Sequence, residues 1–166
     1  MKEIGVNGKR WLKGFHVTFA CLWVGGGLTL TLMQLAMHAT IGGELYGIDR
    51  SMKFIDDFII IPGALGSLLT ELLYSLFTNW GFFKHNWITV KWVINIGGII
   101  FGTFWLGYWM NGMPPISETY GLGALSNPIY DHYKHMNTFW GSVQVTTLVF
   151  ALFVSVFKPW SLRKAN

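Results

Sequence analysis

The sequence predicts an all-α integral membrane protein: a four-helix transmembrane bundle with both termini in the cytoplasm. Three observations predict it. Four long apolar runs, Gly14–Met37, Phe58–Thr78, Trp92–Met110 and Thr138–Phe157, occupy about half of the 166 residues. Each matches the ~20 residues an α-helix needs to cross about 30 Å of hydrocarbon. Only 12% of the residues are charged and 52% are hydrophobic, where a soluble domain carries about 25% charged residues. Finally, nine of the 12 basic residues fall on one side of the bundle: Lys2, Lys9, Arg10, Lys13, Lys84, Lys91, Lys158, Arg163 and Lys164. Arg50, Lys53 and Lys134 fall on the other. Basic residues mark the cytoplasmic side, so this asymmetry predicts the N-in/C-in arrangement. It also explains the net charge of +4 as topology rather than as a nucleic-acid surface.

The elements follow in order. Residues 1–13 are a basic lead-in, and the first helix covers about 11–38. Its apolar run is too long for a cleavable signal peptide, and no small-residue cleavage site follows it. Cys21 inside it reads as a small buried hydrophobe. An outer loop, Ala39–Ile55, follows. The second helix covers about 56–78, with Pro62 early enough for its missing N–H to be tolerated. A short inner loop, Asn79–Asn86, leads to the third helix, about 87–110. The longest outer loop, Asn111–Tyr133, contains Pro114-Pro115 and Asn127-Pro128. The fourth helix covers about 136–157 and stops before Lys158-Pro159. One domain, 1–166, accounts for the chain. Trp11, Trp80, Trp87 and Trp160 form an inner aromatic belt, and Tyr108, Trp109, Tyr133 and Trp140 an outer one. Gly25-Gly26-Gly27, Gly63-Ala64-x-Gly66-Ser67 and Gly98-x-x-x-Gly102 supply small residues for close helix packing, or space for a flat cofactor.

The four apolar runs contain one histidine, His16, one carboxylate, Glu71, and no lysine or arginine. Ionisable residues at membrane depth are costly and mark functional sites. Counted along the helices, His16, Glu71 and Lys91 (just before the third run) fall at one level near the inner boundary. A Glu71–Lys91 ion pair beside His16 is the expected arrangement. It serves either as a polar pin between helices, with Lys91 snorkelling, or as a cofactor site in which His16 ligates a haem iron. In the second case Glu71 orients the imidazole and Lys91 neutralises a propionate or ligates.

The segment Trp11-Leu12-Lys13-x-x-His16-Val17-x-x-Ala20-x-x-Trp23-x-Gly25-Gly26 resembles the first helix of a superfamily of bacterial four-helix membrane proteins. The superfamily includes the copper-resistance protein D family, the membrane-bound haem-dependent protoporphyrinogen oxidases and a branch of uncharacterised membrane proteins. Trp87-x-x-x-Lys91 resembles the opening of their third helix. Pro62-Gly63-Ala64-Leu65 resembles the second helix of the uncharacterised branch, which is the nearest match. The resemblance implies the bacterial cytoplasmic membrane, haem b, and His16 and Lys91 as haem-site residues. Phe104–Tyr108 lacks the late third-helix histidine of the oxidases, and Glu71 is outside their pattern. Haem binding therefore transfers better than oxidase activity.

The outer half holds Met33, Met37, Met52, Met110, Met113 and Met136 together with His38, His132 and His135. Thioether and imidazole suit Cu(I), and His/Met is also a haem pair. This makes His38, His135 and His132 candidates for a second, outer haem or a copper site. The alternative is that the methionines fill gaps and the histidines are solvated. Glu44, Asp56, Asp57, Glu118 and Asp131 on that side read as solvated charges, with acidic partners to the Met/His cluster as the alternative. No phosphate loop or nucleophile–base motif is present. The reading is a b-type haem protein in electron transfer or redox chemistry, with an unidentified redox partner and glycine-rich faces that favour a homo-oligomer. Copper or cation handling, or a non-catalytic role as a partner subunit, are the alternatives.

Overall fold

The computed structural model describes residues 4–78, 81–82 and 85–158. It contains four long helices and, among the described residues, no strand. They are α1 (Val6–Ala36), α2 (Gly42–Phe77), α3 (Asn86–Ser126) and α4 (Pro128–Phe157), all long and apolar enough to span a membrane. Ile4 N donates to Phe77 O at 3.2 Å. The Lys158 ammonium stands 5.9 Å over the Trp87 ring. Both ends of the described chain are thus at one end of the bundle, here called the terminal end. It is the end that the sequence assigns to the cytoplasm. Lys2, Trp80, Lys84, Trp160, Arg163 and Lys164, which the sequence places there, lie outside the described residues.

The helices differ from expectation at the far end. The loop expected at Ala39–Ile55 is helical from Gly42, and α2 continues without a break to Phe77. The loop expected at Asn111–Tyr133 is α-helical to Tyr120, then a 3₁₀ turn, Gly121–Ser126, and α4 already begins at Pro128. Local chemistry explains both starts. Glu44 Oε2 accepts from the Thr40 N–H at 2.7 Å and the Thr40 hydroxyl at 3.0 Å, which seals the first turn of α2. The Asn127 side chain accepts from Ile129 N at 2.9 Å and Tyr130 N at 3.4 Å, and Pro128 takes the first helical position, where its missing N–H costs nothing. Pro114-Pro115 lies inside α3.

A 36-residue α2 is about 54 Å long, well beyond the ~30 Å of hydrocarbon. If the membrane begins near Phe77, it ends near Asp57. The remaining turns of α2 and α3 form a cap. Leu45, Met52, Met110, Met113, Ala124 and Tyr130 are buried together in it. Gly42 and Gly121 make its closest approach: a Cβ on Gly42 would lie 2.8 Å from Gly121 Cα, and Gly121 has φ 54°. Only glycine satisfies both positions without strain.

Within the span, Trp23, Ala64 and Leu148 form a smaller apolar core. A Cβ on Gly63 would lie 2.7 Å from Trp23 N, so α1 and α2 pack backbone to backbone there, as small residues allow in lipid. Most apolar side chains point outward: Leu65, Val93, Phe104, Phe153 and Val156 are exposed. Only 11% of the most apolar stretch of α3 is buried. A surface this apolar is stable against lipid and not against water. The protein is a multi-pass membrane protein.

Candidate functional site

At the terminal end the three ionisable residues singled out by the sequence converge. Glu71 on α2 is buried, and Lys91 Nζ lies 2.6 Å from its Oε1. Asn95 Nδ2 donates to its Oε2 at 2.6 Å. Lys91 and Asn95 are four residues apart, hence on one face of α3, and between them they engage both carboxylate oxygens. Lys91 therefore faces Glu71 rather than snorkelling to the headgroups. A buried pair of this kind costs desolvation, and it stays stable only while both partners and the extra hydrogen bond are present.

His16 on α1 joins the cluster through the residue before Glu71. Its Nδ1 lies 2.9 Å from Thr70 Oγ1. The Thr70 hydroxyl donates back to its own helix, with Gly66 O at 2.7 Å and Ser67 O at 2.9 Å. A hydroxyl has one proton. Since that proton is committed, Thr70 accepts from His16, and Nδ1 carries the hydrogen. In neutral imidazole this leaves the lone pair on Nε2. A backbone-anchored acceptor on Nδ1–H is the arrangement that orients a ligating or basic imidazole. The His16 ring stands edge-on to Tyr74, with centroids 6.4 Å apart. The Tyr74 hydroxyl donates to Lys9 O at 3.1 Å, which fixes this part of α1 against α2.

The three far-end histidines do not converge, although His38 lines a small cavity with Met33, Met37, Met52 and Met113. His38 lies beyond the end of α1, and His132 and His135 lie in the first turns of α4; all three are exposed. Among the described residues no three His, Cys, Asp or Glu side chains are grouped as a metal site. Met52, Met110 and Met113 are buried in the apolar cap core, and Met33 packs against it. Met37 is exposed. Of the acidic residues read as solvated, Asp56 and Asp57 line an internal cavity instead.

Attention to ionisable groups alone misses the neutral polar residues. Thr70 and Asn95 complete the inner cluster. At the membrane's far boundary Gln34 Nε2 donates to Asn137 Oδ1 at 2.6 Å, and Thr138 Oγ1 donates to Gln34 Oε1 at 2.6 Å. Asn137 Nδ2 donates to Leu106 O at 2.9 Å, a carbonyl in a π-helical turn, Gly102–Leu106. A second π turn, Asp56–Ile60, interrupts α2. In the cap, the buried Tyr130 hydroxyl donates to buried Asp49, at 3.1 and 3.0 Å from its two oxygens. The sequence signal for Gln34, Thr70 and Asn95 was available: each is a polar side chain within an apolar run. Asp49 and Asn137 carried no such signal, because one was read in a loop and the other at the start of the fourth helix, just before its apolar run.

No family model, curated protein or solved structure matches the chain.

Proposed function

We propose that this chain is a b-type haem-binding protein of the bacterial cytoplasmic membrane, acting in electron transfer or haem-dependent redox chemistry, with His16 Nε2 as an axial ligand. The observation that carries the proposal is the Thr70 hydroxyl. It holds the Nδ1 hydrogen of His16 and leaves the Nε2 lone pair uncommitted, at the level of a buried charged cluster. The resemblance of the first helix and of Trp87-x-x-x-Lys91 to haem-binding bundles supports it.

The donor chemistry fits a haem. A single neutral imidazole with an oriented Nδ1–H is a common axial ligand. Haem supplies one-electron chemistry when bound. The residues of this chain supply the rest. Thr70 sets the ring's tautomer and direction. Glu71 holds Lys91 by an ion pair, so the Lys91 ammonium serves as a fixed positive charge near His16 rather than as a second ligand. Asn95 engages the second carboxylate oxygen of Glu71. The cavity between the four helices is lined by Trp23 and five glycines but not by His16. A porphyrin on His16 therefore lies at the half-exposed flank of α1 and α2, towards lipid or a second copy of the chain.

The test is a visible spectrum and a pyridine haemochrome assay on protein expressed with ample haem, wild type beside His16→Ala and Thr70→Val. The proposal expects haem in the wild type, a lost or altered spectrum in His16→Ala with the helices still inserted, and weakened haem retention in Thr70→Val. A colourless wild-type protein that carries copper instead would replace this reading with the copper one. The same proposal places the terminal end in the cytoplasm, since the sequence pattern assigns nine of the 12 basic residues to that side; reporter fusions at Gly47 and Leu122 should read as external.

A further inference from the structure

The four helices enclose a cavity of ≈ 490 Å³, within the range of about 300–1,000 Å³ typical of small-molecule sites. It spans Trp23 to Gln34 on α1 and Leu148 to Asn137 on α4. At 1.5 Å per residue it is therefore a slot about 16 Å long, from the middle of the membrane to its far boundary. Both π turns border it, through Asp56 and Asp57 on one side and Gly102 and Thr103 on the other. Turns of this type occur inside α-helices and are frequent at functional sites. The deep half is apolar, walled by Trp23, Ala64, Ile99 and Leu148, and Gly27, Gly98 and Gly141 leave it open.

The charged groups in this slot are all acidic, and its neutral polar groups, among them Gln34, Asn137 and Gln144, are amides and hydroxyls. Among the described residues that line it there are two carboxylates and no lysine, arginine or histidine. Asp57 Oδ2 is paired with Lys53 Nζ at 2.8 Å. No described side chain pairs with Asp56 by a hydrogen bond or ion pair, so Lys53, Asp56 and Asp57 together leave one negative charge uncompensated at the mouth. Deeper in the slot, Gln144 Oε1 is fully enclosed and has no hydrogen-bond partner. Its side chain lies over Gly98 and Gly102. A buried acceptor without a donor is costly, and an N–H from a bound molecule would satisfy it.

We propose that this slot binds a small amphipathic organic cation. Its charged nitrogen is held at Asp56, its flat apolar body lies along Trp23 and the glycines, and an N–H donor reaches Gln144. An anionic headgroup is repelled by the mouth, and a neutral quinone leaves the Asp56 charge unbalanced. The site is separate from His16 and does not depend on the haem reading.

The test uses ethidium, a flat aromatic monocation with two amino groups, titrated by fluorescence against the full chain in phosphatidylcholine nanodiscs. Neutral phenanthridine and a short-chain quinone serve as competitors. The expected result is saturable binding of one ethidium per chain, weakened at least about tenfold by Asp56→Asn and lost in Gly141→Leu. Gly141 lines the slot and a Cβ there meets no atom within 4 Å, so a side chain can begin at this position, and the melting temperature of the variant checks that it folds. Neither neutral competitor should displace ethidium, and His16→Ala should bind it as the wild type does. The proposal is overturned if ethidium binding is not saturable, or if Asp56→Asn binds like the wild type in correctly folded protein. It is also overturned if phenanthridine or the quinone competes equally, since the slot then selects shape and not charge.

Discussion

The two ends of the bundle solve the same problem with different chemistry. Near the terminal end, the polar groups inside the membrane centre on an ion pair: Glu71 holds Lys91 and Asn95, and the neutral His16 ring is held beside it by Thr70. At the far boundary the groups are neutral amides and hydroxyls, Gln34, Asn137 and Thr138, and they bond to each other and to a π-turn carbonyl. Beyond them the cap is a small soluble-type core of methionine, leucine and tyrosine. Charges at one end and neutral amides at the other imply different sensitivities. An ion pair fails sharply when one partner is removed, because the other is left charged in a low-dielectric site. A neutral network fails by the cost of one hydrogen bond at a time.

The largest expected effects therefore sit in the inner cluster. Glu71→Gln and Lys91→Met should each destabilise the protein by about 3–5 kcal/mol. The double variant should cost less than their sum, because the coupling is counted twice in the singles. Thermal unfolding in detergent measures this; strictly additive losses would show that the two side chains do not interact. Next comes the cap core. Met113 has no exposed surface, so Met113→Ala should cost about 2–5 kcal/mol by leaving a cavity, while copper content stays unchanged. Loss of bound copper in that variant would return the far-end methionines to a metal role. Smaller still, Tyr130→Phe removes one of the hydrogen-bond partners of buried Asp49, leaving Ser117, and should cost about 1–3 kcal/mol. A change below the error of the melt would mean Asp49 finds another donor. Last, His38→Ala, His132→Ala and His135→Ala are changes to exposed residues and should shift stability by no more than about 0.5 kcal/mol. A larger shift in any of them, or a changed visible spectrum, would place a second haem or metal at the far end.

The same contrast governs what could be read from the sequence. The four spans and the inner cluster were legible because hydrocarbon imposes length and makes every charge conspicuous. His16, Glu71 and Lys91 stand out against apolar neighbours, and counting along the helices places them at one level. The cap was not legible, because outside the membrane the strong constraint vanishes. Gly42-Gly43, Pro114-Pro115 and Asn127-Pro128 are punctuation that reads as loop. Here Asn127-Pro128 is a helix start, and the proline pair sits inside a helix whose far side packs on α2. Asp56 and Asp57 looked like loop carboxylates for the same reason. Only the continuity of α2, with its π turn, brings them to the wall of a cavity. Thr70 was missed although its polar side chain stands within an apolar run, because attention to charged groups passes over it and its role is to hold another side chain.

The central claim is that His16 presents Nε2 to a haem iron, with Nδ1–H held by Thr70. The most direct measurement is the visible spectrum of wild type and His16→Ala, purified from membranes after expression with ample haem. The account predicts a b-type spectrum in the wild type that is lost or shifted in spin state in His16→Ala, at equal levels of inserted protein. A wild-type spectrum retained in His16→Ala, or a wild-type protein without haem, would contradict it.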